Sequence, residues 1–165
     1  NHVLHYYDRE TNDWTKIKQA EVDVSLVKDE YILSGSVDLI RGEANTVEIV
    51  DFKSEKKLDV NEPKDRQKLD RYRRQLEVYA HIVEERTGQQ VSKMHLYYTG
   101  VEGGNPYISF DKNPQSVEKT IQTFDGVVHR IEQKDFRLKE RPPQKTCKDC
   151  DIQFIVDRKA WQFMT

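Results

Sequence analysis

Three residues with complementary chemistry occur within sixteen positions of one another. Asp38 ends the run GSVD, and Asp51 and Lys53 lie in the run IVDFK. Both runs are rich in β-branched and apolar residues, which favours strands. Side chains two positions apart on a strand project from the same face, so Asp51 and Lys53 stand side by side, opposite to Val50 and Phe52. The spacing therefore predicts carboxylates and an ammonium group at the ends of neighbouring strands.

Two carboxylates beside a lysine suit the metal-assisted hydrolysis of a phosphodiester. Carboxylate oxygens and backbone carbonyls are the ligands that Mg²⁺ and Mn²⁺ prefer, so Asp38, Asp51 and the carbonyl of Phe52 are the candidate ligands. The metal would polarise the phosphate, while Lys53 would orient the attacking water or stabilise the charge of the transition state. An Asp-x-Lys pair on a strand also occurs as a surface ion pair, so the elements around it decide between the two interpretations.

Strand patterns surround these residues. Three runs follow one another with short links, from Glu21 to Lys28, from Tyr31 to Ile40 and from Thr46 to Lys53, which predicts an antiparallel meander. Further strands are expected from Val91 to Thr99 and from Tyr107 to Phe110. The chain therefore contains a sheet of four or five strands.

Two helices follow from the apolar spacing. Between Leu69 and Val83 apolar residues recur at three- and four-residue steps, and Thr87-Gly88 closes this helix. A second helix begins at Asn113-Pro114, because asparagine caps helices well and proline is tolerated at the first helical position. Strands and helices together predict an α/β fold, a mixed β-sheet flanked by α-helices.

The composition sets limits on the class of protein. A chain of 165 residues is expected to form one domain, with a core over residues 21–134 and an irregular tail over 141–165. The net charge of -2 excludes a uniformly basic coat. No run is long enough to span a bilayer, and the amino terminus lacks the order of a secretory signal. Two cysteines are too few for a disulfide framework, so a reducing, cytoplasmic setting is expected.

Basic residues are concentrated in one segment. Residues 56–74 hold eight basic and four acidic side chains. A local excess of this kind can attract phosphates, although a solvated helix face with charge pairs is the alternative. The candidate DNA-binding residues are Lys56, Lys57, Arg71, Arg73 and Arg74.

On the first helix Gln75 and Tyr79 are one turn apart and share a face. Gly-x-x-Asp, Asp-x-Lys and Gln-Leu-x-x-Tyr, in this order and spacing, resemble the RecB-like branch of the PD-(D/E)XK nucleases over residues 21–98. The resemblance implies a restriction-endonuclease-like fold and DNA cleavage with Mg²⁺ or Mn²⁺. It also implies that Gln75 and Tyr79 lie beside the active site and help to position it or the DNA.

The resemblance raises two further metal-ligand questions. The RecB-like pattern has an acidic residue on the preceding strand, for which Glu21 is the candidate, with a solvated charge at a strand edge as the alternative. Many members add a histidine ligand on an amino-terminal helix. His2 and His5 are the only upstream histidines, and neither has a clear helical context in the sequence, so neither is assigned.

The two cysteines lie in the tail. Cys147-x-x-Cys150-Asp resembles the carboxy-terminal part of the iron-sulfur staple found in some RecB-like nucleases. A complete staple needs four thiolates, and this chain has two, so an iron-sulfur cluster is not expected in it. Cys147 and Cys150 are then a remnant of a lost or truncated staple, or two free thiols.

The whole chain looks like the nuclease modules fused to helicases of the UvrD/Rep type. It contains no Gly-x-x-x-x-Gly-Lys-Ser/Thr loop, so a helicase motor would lie outside these residues. The expected function is that of a metal-dependent DNA nuclease module, with DNA as partner and no membrane attachment. Two alternatives stay open, a catalytically inactive DNA-binding module of the same fold and a protein-interaction domain.

Overall fold

The computed structural model describes residues 2–10, 14–28 and 31–137. The chain forms two compact units, residues 1–128 and 129–165. The sheet lies in the first unit, and in the second unit Arg130 and Arg137 both pair with Asp135. The expectation of one domain stays a prediction. Cys147, Cys150 and the rest of the tail lie outside the described residues.

Five strands form one mixed sheet. They are β1 (Ile17–Val27), β2 (Ile32–Glu43), β3 (Thr46–Lys53), β4 (Gln90–Tyr98) and β5 (Tyr107–Asp111). They lie in the order β1-β2-β3-β4-β5, and only the β3–β4 pair is parallel. The predicted meander and the mixed sheet are confirmed, and β3 has the predicted bounds.

Strands β1 and β2 are longer than predicted. β1 begins at Ile17, not at Glu21, and β2 continues past Ile40 to Glu43. The register shifts between Ile17 and Gln19, where β1 pairs with the end of β2. A shift of this kind interrupts the alternation of inward and outward side chains, so the periodic pattern did not extend over this part of the hairpin.

In the described residues three α-helices accompany the sheet, α1 (His2–Arg9), α2 (Pro63–Thr87) and α3 (Pro114–Glu132). Helix α2 begins six residues before Leu69, where the predicted apolar pattern starts. The pattern missed these first residues because they are mostly exposed and carry no apolar spacing. It ends as predicted at Gly88, which has a left-handed φ of 68° and donates its N–H to the carbonyl of Glu84. Asn113 caps α3 by accepting hydrogen bonds from the following backbone, also as predicted. No helix in the described part of the chain is long and apolar enough to cross a membrane.

Helix α1 was not expected. His2 and His5 both lie in it, so the expectation that neither histidine has a helical context was wrong. A helix of eight residues is too short to be stable alone, and it depends on tertiary packing. That packing comes from Tyr6, whose ring meets the rings of Phe52 and Tyr97 edge-on, with centroids 5.0 Å apart in both pairs.

The two faces of the sheet have separate cores. Helix α2 covers the larger core, whose most deeply buried strand residues include Val37, Val47, Ile49, Met94, Leu96 and Tyr98. The opposite face buries Leu39, Val50 and Tyr97, with Phe52 packed against them. Because side chains alternate along β3, Asp51 and Lys53 lie on the face of Ile49, beneath α2. The predicted separation of Asp51 and Lys53 from Val50 and Phe52 is confirmed.

A buried carboxylate joins α2 to α3. Glu77 is 1% exposed and accepts hydrogen bonds from Arg73 Nε at 3.1 Å, Ser116 Oγ at 2.5 Å and Thr120 Oγ1 at 2.6 Å. Both hydroxyl donors lie on α3. This carboxylate therefore fixes the position of α3 on the helix that covers the face of the sheet carrying Asp51 and Lys53.

We expect Glu77→Ala to lower the free energy of unfolding by about 2–3 kcal/mol, since it opens a cavity and leaves two hydroxyls and Arg73 without their acceptor. Urea denaturation followed by far-UV circular dichroism measures the change. Glu85→Ala, at an exposed position of the same helix, is the control and should change stability by less than about 0.5 kcal/mol. An equal, small effect of both substitutions would contradict this role of Glu77.

Candidate active site

Strand β3 presents the Asp-x-Lys pair to the space beneath α2. Lys53 Nζ lies 2.5 Å from Asp51 Oδ2, and the two side chains are only 15% and 9% exposed. Asp51 lies next to Leu96, and Lys53 next to Tyr98, across the parallel pairing with β4. The pair is therefore set in the interior of the sheet. It is not the surface ion pair that the sequence left open as an alternative.

Strand β2 brings Asp38 to the same place. Leu39 pairs with Val50 at the end of the β2–β3 ladder, so Asp38 and Asp51 are the next positions along the two strands. The backbone N–H of Phe52 donates to Asp38 Oδ2 at 2.7 Å. The N–H and the carbonyl of one strand residue point to the same side, so the carbonyl of Phe52 also faces β2. The structure thus brings together the three predicted metal ligands.

The electrostatics of this group favour a cation. Burial raises the pKa of Asp51, and the nearby charge of Asp38 raises it further, while Lys53 acts in the opposite direction. Asp51 Oδ2 is buried, and the Lys53 ammonium lies 2.5 Å from it. A divalent cation between the two carboxylates would relieve both the repulsion and the desolvation.

The donor set also limits the kind of metal. Within residues 2–10, 14–28 and 31–137 no three His, Cys, Asp or Glu side chains are grouped so that they could hold a metal together. Two carboxylates and a carbonyl are a sparse oxygen set. Such a set fits Mg²⁺ or Mn²⁺, which are commonly held by one or two carboxylates and keep several water ligands. The residues present therefore fit the metal that the sequence implied.

Helix α2 lies opposite the strands and carries the third of three sequence motifs. The first is Gly-x-x-Asp on β2, the second is Asp-x-Lys on β3, and the third is Gln-Leu-x-x-Tyr on α2 itself. Gln75 Nε2 donates to the Tyr79 hydroxyl at 2.9 Å. The Tyr79 ring lies directly on Gly35, where an added Cβ would be 2.4 Å from Tyr79 Cε1. The glycine of the Gly-x-x-Asp run is thus needed for the close approach of Tyr79, three residues before Asp38 on the same strand.

We expect Gly35→Ala to displace the Tyr79 ring and break its hydrogen bond with Gln75. The overpacking should cost about 1–3 kcal/mol of stability, measured by thermal unfolding. Gly103→Ala is the matched control, because nothing lies within 4 Å of an added Cβ there. Unchanged melting of Gly35→Ala would contradict a structural link between the Gly-x-x-Asp run and the Gln75–Tyr79 pair.

Sequence reasoning missed Tyr72 and Glu55. Lys53 Nζ lies 4.2 Å from the centroid of the Tyr72 ring, and the Tyr72 hydroxyl donates to Glu55 Oε1 at 2.7 Å. Burial and the hydrogen bond to Glu55 raise the pKa of Tyr72 to about 12. The position of Tyr72, three residues before Gln75 on the same helix, was a usable signal. Nothing in the sequence marks Glu55, which lies in the loop after β3.

Glu21, the candidate acidic residue on the preceding strand, has an unusual backbone. Ala20 pairs with Leu39 and Val22 with Val37, so Glu21 is level with Asp38. Its φ of 50° lies in the left-handed region, which is rare for a residue with a side chain, and its side chain is exposed. The structure places this residue beside the strand of Asp38, and its role as a ligand stays a prediction.

The candidate DNA-binding residues differ in their surroundings. Arg73 pairs with Glu77 and is 40% exposed, which is the charge-pair arrangement that the sequence left open. Lys57 donates to the carbonyl of Asn105 at 2.7 Å. The other three are exposed: Lys56, Arg71 and Arg74. DNA binding by all five residues stays a prediction.

His95 lies on the face of the sheet opposite to α2. Its ring bonds Ser109 Oγ at 2.8 Å and Glu48 Oε2 at 3.2 Å, and Glu48 also accepts a hydrogen bond from Arg41. Burial lowers the pKa of His95. This network ties β2, β3, β4 and β5 together on the far side from Asp51, which agrees with a structural role for His95.

The chain is similar to several known proteins. Residues 2–155 match the PD-(D/E)XK nuclease superfamily. The chain is 35% identical over 74 residues to an ATP-dependent helicase/nuclease component of Clostridioides difficile (strain 630), and the matched stretch covers 45% of this chain. That match spans 6% of the relative's length.

Two solved structures share the fold. A chain from Eubacterium rectale, assigned as an exonuclease, has a TM-score of 0.50 and 13% identity, over 92% of this chain and 65% of that one. A second solved chain has a TM-score of 0.50 and 15% identity, over 95% of this chain and 68% of that one. At these identities the likeness concerns the fold alone, and it agrees with the five-stranded mixed sheet and its flanking helices. By the match over nearly its whole length, the chain belongs to the PD-(D/E)XK nuclease superfamily.

Proposed function

We propose that this chain is the nuclease module of a helicase-nuclease and hydrolyses DNA phosphodiester bonds with Mg²⁺ or Mn²⁺. The observation that carries the proposal is the buried Asp51–Lys53 pair, with Asp38 held against the backbone of Phe52. Asp51 is buried and Asp38 partly buried, so a divalent cation bound between them would offset the cost of desolvating two neighbouring charges. The helicase-nuclease setting comes from the Clostridioides difficile relative, whose name states that composition.

Each residue of the group has a proposed task. Asp38, Asp51 and the Phe52 carbonyl would hold the cation. When bound, the cation polarises the phosphate and lowers the pKa of a water molecule. Lys53 is held at one edge of this group by Asp51, so its ammonium can orient the attacking water or stabilise the charge that develops on the phosphate. Glu21 would add a further acidic group from β1.

Helix α2 would position both the site and the substrate. The Gln75–Tyr79 hydrogen bond and the packing of Tyr79 on Gly35 fix this helix face against β2. Arg71 lies one turn before Gln75 and is exposed, so it would meet a phosphate on the approach to the site. Arg73, Arg74, Lys56 and Lys57 would add contacts that do not depend on base sequence.

The rival interpretation, an inactive DNA-binding module, rested on a missing histidine ligand or a missing metal staple. His2 and His5 lie in α1, and neither is assigned as a ligand, so a cleavage assay has to decide between the two interpretations. DNA as partner, a helicase motor beyond these residues and a reducing, cytoplasmic setting belong to the same proposal as the activity.

The direct test incubates end-labelled single-stranded and double-stranded DNA with the protein and Mg²⁺ or Mn²⁺, next to a Lys53→Ala variant. We expect cutting that requires the metal and is lost in the variant, and the labelled products show the polarity. Absence of cutting under every condition would refute the proposal. Binding of the same DNA at low salt would then favour the inactive binding module, and no binding would favour a protein-interaction domain.

A further inference from the structure

We propose that Tyr72 is a positioning residue, whose ring holds the Lys53 ammonium against Asp51 and is itself held in place by Glu55. The proposal rests on the proposed function, because it deepens the role of Lys53. It concerns residues outside the Gly-x-x-Asp, Asp-x-Lys and Gln-Leu-x-x-Tyr motifs.

The first step is the contact between Lys53 and the ring. Lys53 Nζ lies 4.2 Å from the ring centroid of Tyr72 and 2.5 Å from Asp51 Oδ2. The ammonium is thus held from two directions, by a carboxylate on its own strand and by the face of a ring on α2. Cation–π attraction is stronger where water is excluded, and the Lys53 side chain is only 15% exposed.

The second step is the support of the ring. The Tyr72 hydroxyl donates to Glu55 Oε1 at 2.7 Å, and Glu55 also pairs with Lys68. Lys68 lies one turn before Tyr72 on α2, whereas Glu55 lies two residues after Lys53 in the loop that follows β3. Glu55 therefore ties this loop to α2 at the point where the ring meets the lysine.

The third step is the consequence for Lys53. A lysine side chain has many rotamers, and holding it in one of them costs conformational entropy. If Tyr72 supplies that constraint when the protein folds, Lys53 is in position before the substrate binds. The entropy cost is then not paid during the reaction, so the chemical step is faster. The alternative is that Tyr72 only packs against the core under α2, where it also makes contacts.

Kinetics on the DNA that the wild-type protein cuts separate these alternatives. Tyr72→Phe keeps the ring and loses the hydroxyl, while Tyr72→Leu loses the ring. We expect kcat to fall about threefold in Tyr72→Phe and about tenfold or more in Tyr72→Leu, with KM nearly unchanged. In a Lys53→Met background, Tyr72→Leu should have no further effect, because Tyr72 acts through Lys53.

A measurement without activity tests the placement itself. In protein labelled with ¹³C-lysine, the Cε protons of Lys53 should be shifted upfield by the ring, with Lys53→Arg identifying the signal. We expect the shift to persist in Tyr72→Phe and to vanish in Tyr72→Leu. If Tyr72→Leu does not fold, the wild-type and Tyr72→Phe spectra still decide the placement.

The outcomes distinguish this inference from the proposed function. An upfield-shifted Lys53 in a protein that cuts no DNA would leave the placement standing and refute the nuclease activity. A wild-type Lys53 signal at the ordinary position would overturn the inference. Equal losses from Tyr72→Leu with and without Lys53 would overturn it as well, because Tyr72 would then act only through the fold.

Discussion

On the proposed function, we expect Asp51→Asn to lower the rate of DNA cleavage by about a thousandfold, because it removes the charge of a proposed metal ligand and the partner of Lys53 in one substitution. Asparagine has nearly the same shape, so the packing under α2 is kept. Single-turnover cleavage of end-labelled DNA at saturating Mn²⁺ measures the loss. Glu43→Gln, at an exposed position of β2, is the matched control and should cut at the wild-type rate.

The same variant should remain folded. Burial raises the pKa of Asp51, so ionising this group costs the folded state stability as the pH rises above the ordinary carboxyl range. Asparagine does not ionise, so the variant avoids this cost of burying a charge. That gain in stability offsets the loss of the ion pair with Lys53. Without divalent cation, Asp51→Asn should therefore melt near or above the wild-type temperature at pH 7. Melting far below it would mean that lost cleavage reports unfolding, and cleavage at the wild-type rate would refute the assignment of Asp51.

Lys53→Met should have the second-largest effect, a fall in kcat of about a hundredfold or more. Methionine keeps much of the aliphatic volume beside Tyr72 but has no charge to place near the water or the phosphate. KM for DNA should change little, because the ammonium is paired with Asp51 and covered by a ring, and it is not exposed for general phosphate binding.

The control for this variant is Lys93→Met, at an exposed position of β4, which should cut at the wild-type rate. Metal-free Lys53→Met should also be less stable than the wild type, and Mn²⁺ should restore part of the difference, since Asp51 loses its only described cationic partner. A raised KM with an unchanged kcat would assign Lys53 to DNA binding and not to the chemical step.

The elements that carry the active site could be predicted because their signals are local. Asp51 and Lys53 alternate with Val50 and Phe52 along β3, and the period of a strand assigns them to opposite faces. Gln75 and Tyr79 are one helical turn apart, and the period of a helix assigns them to one face. In both cases the spacing along the chain fixes the direction of the side chains.

Other features depend on contacts between distant residues. Helix α1 is stable only where Tyr6 meets Phe52, which its own sequence does not show. The ring of Tyr72 is 19 positions from Lys53 along the chain, and Glu77 receives its hydroxyl partners from α3. The backbone of Glu21 is left-handed although this residue lies within β1. Such features follow from how the elements pack, which periodicity alone does not determine.

Direct contacts connect the Gly-x-x-Asp, Asp-x-Lys and Gln-Leu-x-x-Tyr runs. Gly35 admits the ring of Tyr79, and Asp38 lies three residues later on the same strand. Asp38 in turn accepts a hydrogen bond from the backbone of Phe52, which lies between Asp51 and Lys53. We therefore expect a substitution at any of these points to alter the geometry of the carboxylate pair.

Calorimetric titration with Mn²⁺ tests the central claim most directly, because it asks whether Asp38 and Asp51 hold a divalent cation together. We expect binding by the wild-type protein, an affinity at least about tenfold weaker in Asp38→Asn and in Asp51→Asn, and an unchanged affinity in Glu43→Gln. The same affinity in all four proteins, or no binding by the folded wild type, would contradict the account.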